Sequence, residues 1–232
     1  MKTRPLLLGH RGVRGRKYGV RENTIAAFDL ALQYGCDGIE FDVRLTEDSH
    51  PVICHNSRSA GLTIAKTAGE KLPGLALLDD ILARYANCAF LDVELKVADI
   101  DDCLLSVLAK HPPKKGYVIS SFLPEVLLNL RAQNESILLG LICETQRELQ
   151  RWPELPIQYV MVKQSLVTPK LLSDIHSAGM QVFVWTVNKP EAMLRLSNWG
   201  VDGIISDKAE LMVGTLRKLG NSQQLAAEDS SS

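Results

Sequence analysis

The feature that most constrains this chain is a repeated pairing of a short, near-continuous apolar run with a segment of helical period. Leu6–Leu8, Gly38–Arg44, Ala89–Lys96, Tyr117–Ser121, Ile137–Cys143, Tyr159–Lys163, Val182–Val187 and Gly203–Asp207 read as strands. Pro51–His55 reads as an extension of the second. Between them Ile25, Phe28, Ala31 and Leu32 keep helical spacing behind a cap at Asn23 or Thr24. Further helices are predicted over Leu77–Tyr85, Ile100–Lys110, from Pro124, up to about Arg151, over Pro169–Ala178 and Pro190–Asn198, and last to about Leu219. Asn56–Gly74 is small, polar and aperiodic, and reads as a loop. Strands that are apolar along their whole length are buried on both faces, the signature of a parallel sheet covered by helices. Eight such units in 232 residues predict an α/β fold, a (β/α)8 TIM barrel in a single domain over 1–219, with a disordered polar tail over 220–232. A doubly wound open sheet is the rival, but no Gly-x-Gly-x-x-Gly opens the first helix.

Composition narrows the partners. The formal net charge is −1, and acids and bases are mixed along the chain, so no nucleic-acid footprint is expected. The one basic cluster, Arg11, Arg14, Arg16, Lys17 and Arg21, is too short for a duplex but suits a phosphate. The 5 cysteines lack Cys-x-x-Cys spacing and sit mostly in apolar runs, which points to a reducing, cytoplasmic location without disulfides or zinc. No stretch approaches a membrane span or a signal segment, so no stable membrane insertion is expected. The chain is expected to be a monomer or a small homo-oligomer.

In a barrel the active groups gather at the C-terminal ends of the strands. His10 and Arg11 follow the first strand, Glu40 and Asp42 lie late in the second, and His55 ends its extension. Glu94 and Lys96 end the third, Phe122 follows the fourth, Lys163 ends the sixth, Trp185 and Asn188 close the seventh, and Asp207 ends the eighth. Side chains two apart on a strand share a face, so Glu40 pairs with Asp42 and Glu94 with Lys96. Three carboxylates at one mouth suit one divalent metal, Mg²⁺ or Ca²⁺. The competing reading is a plain Lys96–Glu94 salt bridge with no metal. Two histidines beside such a cluster suit general acid and general base, and Arg11 offers a planar fork for phosphate. Together these residues point to phosphoryl chemistry.

The ordered set His10-Arg11-Gly12, Glu22-Asn23-Thr24, Glu40-Phe41-Asp42-Val43, His55, Glu94-Leu95-Lys96, Trp185-Thr186-Val187-Asn188 and Gly200–Asp207 resembles the motifs of glycerophosphodiester phosphodiesterases. The resemblance implies a barrel enzyme that cleaves small glycerophosphodiesters to sn-glycerol 3-phosphate and an alcohol, with the glycerol 2-hydroxyl attacking first to form a cyclic phosphate. It implies Glu40, Asp42 and Glu94 as metal ligands, His10 and His55 as acid and base, and Arg11 and Lys96 on the phosphate. Glu22 then either orients the His10 loop or helps Asn23 start the helix. Trp185 and Phe122 are expected to wall the glycerol carbons, with a plain core role as the alternative.

Two departures bear on substrate range. His55 is followed by Asn56 where many members have Asp, and only a short segment separates it from the next helix. A more open pocket follows, which admits lysophospholipase D-type hydrolysis of a lysophospholipid as an alternative. A catalytically silent barrel acting as a binding module, and an aldolase or isomerase using Lys163, are the readings from other classes.

Overall fold

The computed structural model describes residues 4–217. The end of the last predicted helix at Leu219 and the tail 220–232 lie outside them. Eight parallel strands run in chain order around a closed barrel: β1 (Leu6–His10), β2 (Gly38–Leu45), β3 (Phe90–Leu95), β4 (Tyr117–Ser121), β5 (Leu139–Cys143), β6 (Tyr159–Lys163), β7 (Gln181–Trp185) and β8 (Gly203–Ser206). Closure is made at β1, where Leu8 lies opposite Ile205 of β8 on one side and Gly38 of β2 on the other. The barrel expected from the alternating pattern is therefore the fold. Its helices are α1 (Ile25–Gln33), α2 (Leu78–Tyr85), α3 (Asp101–Lys110), α4 (Pro124–Gln133), α5 (Gln146–Leu149), α6 (Pro169–Ser177), α7 (Pro190–Trp199) and α8 over 209–217, where the description ends.

Each strand divides its side chains between two cores. Ile39, Phe41 and Val43 of β2 face outward into the helical layer and are fully buried with Phe28 and Ala31 of α1. Inside the barrel Leu8, Phe90, Val118, Met161, Phe183 and Ile205 form the plug. Its packing alternates large and small, as a filled barrel requires. A Cβ on Gly203 would lie 2.6 Å from the Phe183 ring, so only glycine admits that ring. Toward the C-terminal ends the inward positions become polar: His10, Glu40, Asp42, Asp92, Glu94 and Ser120. At the opposite end Asp37 clips β1 to the base of β2. It accepts a bidentate pair from Arg4 at 2.6 and 2.7 Å and the Leu7 N–H at 2.9 Å.

Three local expectations are corrected, and a choice between two caps is resolved. Pro51–Ile53 does not prolong β2 but folds back antiparallel on its end, with Val52 opposite Arg44. The stretch 56–74 is not featureless. It holds a small hairpin, Arg58–Ser59 with Leu62–Thr63, and two 3-10 turns, and Ile64 and Leu72 bury against Val52. The helix expected up to Arg151 is the single turn α5, started by a Thr145–Glu148 capping box. Only Leu149 of that turn is buried, so no apolar stripe extends it, and a separate turn follows at Trp152–Glu154. The cap of α1 is Thr24, whose Oγ1 accepts from Ala27 N–H at 3.3 Å, which releases Asn23 for the site.

Candidate active site

The β1–α1 turn builds the first wall. Gly12 at φ 80° packs on the α1 backbone so closely that a Cβ would meet the Ala27 carbonyl carbon at 2.5 Å. Arg11 and Asn23 both adopt left-handed backbone, φ 53° and 57°, and the Asn23 N–H donates to the Arg11 carbonyl at 3.0 Å. Such conformations cost about 1–3 kcal/mol each in non-glycine residues and persist where the surroundings hold them. Here the Arg11 N–H donates to Glu40 Oε2 at 2.9 Å, and Asn23 Nδ2 donates to Asp42 Oδ2 at 2.7 Å.

Glu40, Asp42 and Glu94 each bring a carboxylate oxygen into one group, all within 4.8 Å of one another and all buried. The register explains it, since Asp42 of β2 lies directly opposite Glu94 of β3. Lys96 Nζ donates to Glu94 Oε1 and stands 3.0 Å from Asp42 Oδ1. The Arg11 Nε lies 3.1 Å from Asp42 Oδ2, and Arg11 Nη1 donates to Glu22 Oε1 at 2.7 Å. Glu22 Oε2 holds Arg14 Nε at 2.6 Å. Despite two cations, Glu40 Oε1 is buried without a hydrogen-bond partner, while Asp42 Oδ1 has only the Lys96 ammonium beside it. Three buried carboxylates that converge, one of them with an orphaned oxygen, are the donor set a hard divalent cation takes.

Electrostatics divides the cluster. Burial, with Asp42 and Glu94 nearby, raises Glu40 well above the ordinary carboxylate range. Burial would also raise Asp42, but Lys96 and Arg11 outweigh it and hold that carboxyl low. Glu94 is pushed up to about 7 by burial, opposed by Lys96. Asp92, beneath them, is pushed up to about 8 by burial, although the Ser120 hydroxyl donates to it at 2.6 Å. The resistance of Glu40 to ionisation for want of positive charge is the counterpart of its unpartnered oxygen.

Both histidines line the cavity beside this group. His10 Nδ1 is 2.6 Å from Asp207 Oδ1, and its Nε2 is 3.8 Å from Glu40 Oε2. Asp207 is itself held by Asn188 Nδ2 at 2.7 Å, while its N–H donates to Asn188 Oδ1 at 3.0 Å. His55 Nδ1 is 3.0 Å from Asn56 Oδ1, and burial lowers the His55 pKa. Phe122 and Trp185 meet edge-to-face at 5.8 Å, and Trp185 Nε1 donates to the Met161 carbonyl at 3.0 Å. The cavity at this mouth is about 370 Å³, open to solvent, and His10, His55, Arg11, Lys96, Phe122 and Trp185 all line it.

Every site residue named from the sequence thus lies at this mouth, Glu22 and Asn23 in the layer that holds Arg11 and Asp42. Lys163 does not: it is paired with Glu144 at 2.9 Å and partly exposed, unlike the desolvated amine a Schiff base needs. Sequence reasoning placed Asp207 and Asn188 at strand ends but missed the bond of Asp207 to His10 and that of Asn188 to Asp207, and it missed Asp92 altogether. The signal for Asp92 was its inward parity with Glu94.

The sequence matches the Glycerophosphoryl diester phosphodiesterase family over residues 10–72 and 81–211, most of the chain. The chain belongs to this family. Like its named relatives it is an enzyme, a phosphoric diester hydrolase. A curated glycerophosphodiester phosphodiesterase of Caldanaerobacter subterraneus subsp. tengcongensis is 28% identical across 95% of this chain and 100% of its own length. A solved phosphodiesterase of Oleispira antarctica, in complex with the product sn-glycerol-3-phosphate, is 26% identical with a TM-score of 0.81 over 92% of this chain and 97% of that one. A putative glycerophosphoryl diester phosphodiesterase of Silicibacter pomeroyi shares the fold, with a TM-score of 0.82, 23% identity and 95% of each chain covered.

Proposed function

We propose that this family member hydrolyses glycerophosphodiesters to sn-glycerol 3-phosphate and an alcohol, with His10 and His55 moving the protons. Glu40, Asp42 and Glu94 would hold one divalent cation, Mg²⁺ or Ca²⁺. The observation that carries this reading is the buried group of three carboxylates, with Glu40 Oε1 left without a partner, beside a cavity that both histidines line. When bound, the cation supplies Lewis acidity, polarising a phosphate oxygen and lowering the pKa of the attacking hydroxyl.

The chain's own groups do the rest. Arg11, fixed by Glu22, presents a rigid fork to the phosphate, and Lys96 adds a point charge beside it. Asn23 keeps Asp42 aimed inward. With Nδ1–H donated to Asp207, His10 Nε2 takes the proton of the glycerol 2-hydroxyl as it attacks phosphorus. His55, its Nδ1 turned to Asn56, gives a proton to the departing alcohol oxygen and then removes one from the water that opens the cyclic phosphate, while His10 returns its proton to the 2-oxygen as that P–O bond breaks. Burial favours its neutral form, which suits the second duty. Phe122 and Trp185 form an apolar wall for the glycerol carbons. Free cysteines throughout fit a cytoplasmic setting, and no helix among the described residues is long and apolar enough to cross a membrane.

The test is release of glycerol 3-phosphate from glycerophosphocholine by EDTA-stripped protein, with Mg²⁺ or Ca²⁺ restored, beside a melting curve. Restored turnover and a rise in Tm are expected; at 100-fold excess over Kd a ligand stabilises by about 2.7 kcal/mol. Glu40→Ala should lose both effects while staying folded. Absence of release with either ion, together with turnover of lysophosphatidylcholine, would replace the substrate class.

A further inference from the structure

His55 lines two cavities. One is the cavity just described, with the cluster, Arg11 and Lys96 in it. The other, about 340 Å³, opens on the far side of His55, over Ile53, Cys54 and Leu75, and is rimmed by Arg21, Asn56 and Arg58. Among the described residues His55 is the only one lining both.

The charge of the second cavity is one-sided. Its single carboxylate, Glu22, has both oxygens engaged, by Arg11 Nη1 at 2.7 Å and Arg14 Nε at 2.6 Å. Arg21 Nη2 donates to the Gly74 carbonyl at 2.8 Å, and Arg58 Nη2 to the Gly61 carbonyl at 2.6 Å. Behind them Arg44 donates Nε and Nη2 to the His55 carbonyl at 2.9 and 2.8 Å. These carbonyls fix three guanidiniums in place without cancelling their charge, and none of the three forms a salt bridge among the described residues. A carboxylate or a phosphate monoester is the complement of such a rim, since guanidinium forks bind both in bidentate fashion.

The reaction geometry says which part of the substrate arrives there. If phosphorus sits at Arg11 and Lys96 and glycerol lies against Phe122 and Trp185, the remaining ester substituent leaves past the group that protonates it. That group is His55. We infer that the second cavity is the leaving-group subsite, and that Arg21 and Arg58 select alcohols bearing an anionic substituent, a phosphate monoester foremost. The inference rests on the function proposed above and adds the class of head group. A quaternary ammonium finds no counter-charge at this rim.

The experiment compares kcat/KM of the metal-loaded full chain for glycerophosphoinositol 4-phosphate and glycerophosphoinositol, which differ only in one phosphate, with glycerophosphocholine as a third substrate. Wild type should prefer the phosphorylated inositol diester by about tenfold or more, the scale of one hydrogen bond between charged groups. Arg58→Ala and Arg21→Ala should each erode that preference while leaving glycerophosphocholine turnover within about twofold, a bound set by the small effect of surface substitutions elsewhere. Equal rates for the two inositol diesters, or a preference that survives both substitutions, overturns the assignment. Calorimetric titration with inositol 4-phosphate separates this outcome from failure of the reaction itself. Binding by wild type that both variants weaken supports the subsite even if no diester is cleaved, and absence of binding by wild type in that case overturns it.

Discussion

Replacing Asp207 by Asn tests the least expected contact in the site. The carboxylate holds His10 Nδ1 at 2.6 Å and is anchored by Asn188 at 2.7 Å. Burial alone would raise this carboxyl; the bond and charge of His10 outweigh burial and keep it below the ordinary range. The Asp207 carboxylate can only accept, so it selects the His10 tautomer with a proton on Nδ1 and a lone pair on Nε2. An amide of the same size can instead turn its NH₂ toward Nδ1, which puts the proton on Nε2 and removes the base. Losing the charge forfeits about 1.5–3 kcal/mol of a hydrogen bond between charged groups, or one to two powers of ten in rate. Losing the tautomer takes the total toward the roughly 10⁴-fold seen when such a carboxylate is neutralised in a catalytic triad. Asp207→Asn should therefore lower kcat by about 10²–10⁴ with little change in KM or in metal-dependent Tm. The assay is steady-state turnover of glycerophosphocholine at saturating cation, with metal titrations followed by melting. A kcat within about fivefold of wild type would refute the assignment of His10 as a base held by Asp207, since that exceeds no single hydrogen bond.

Two further outcomes follow from named groups. His55→Ala should cut turnover of glycerophosphocholine by about 10²–10⁴, yet spare cleavage of a glycerophosphodiester with a p-nitrophenol leaving group, which needs no protonation. With that substrate a glycerol cyclic phosphate should accumulate, visible by phosphorus NMR; equal loss on both substrates would argue against His55 as the acid. At the base of the barrel, burial opposes ionisation of Asp37, but the Arg4 pair and the Leu7 N–H more than offset it and lower its pKa. A depressed carboxyl stabilises the fold above its unfolded value of about 3.9, and that contribution disappears as pH falls through the lower folded value. Asp37→Asn should thus lose about 1–2 kcal/mol at pH 7, modest because Arg4 is half exposed, and the gap to wild type should narrow as pH falls below the unfolded carboxylate value in urea melts. A difference that persists at low pH would assign the effect to packing instead.

What could be read from the chain alone was local in origin. The eight apolar runs and their helical partners specified the barrel, because a strand buried on both faces has few other homes. The i, i+2 rule aligned Glu40 with Asp42 and Glu94 with Lys96, because it depends only on the pleat. It did not foresee the single-turn α5 or the backward fold of Pro51–Ile53, whose lengths are set by what buries against them. Nor could local rules reveal partners far apart in sequence. Asp207 meets His10 across 197 residues only because β8 closes on β1. Asn23, equally acceptable as a helix cap, bonds Asp42 because its left-handed backbone turns the side chain into the barrel mouth. Glu22 pairs with Arg11 and Arg14, and among the described residues the neighbouring Arg21, Arg44 and Arg58 form no salt bridge. Sequence determined which groups reach the mouth. Barrel closure decided which of them neutralise one another and which stay available for a ligand, since charge pairing depends on distance through space and not along the chain.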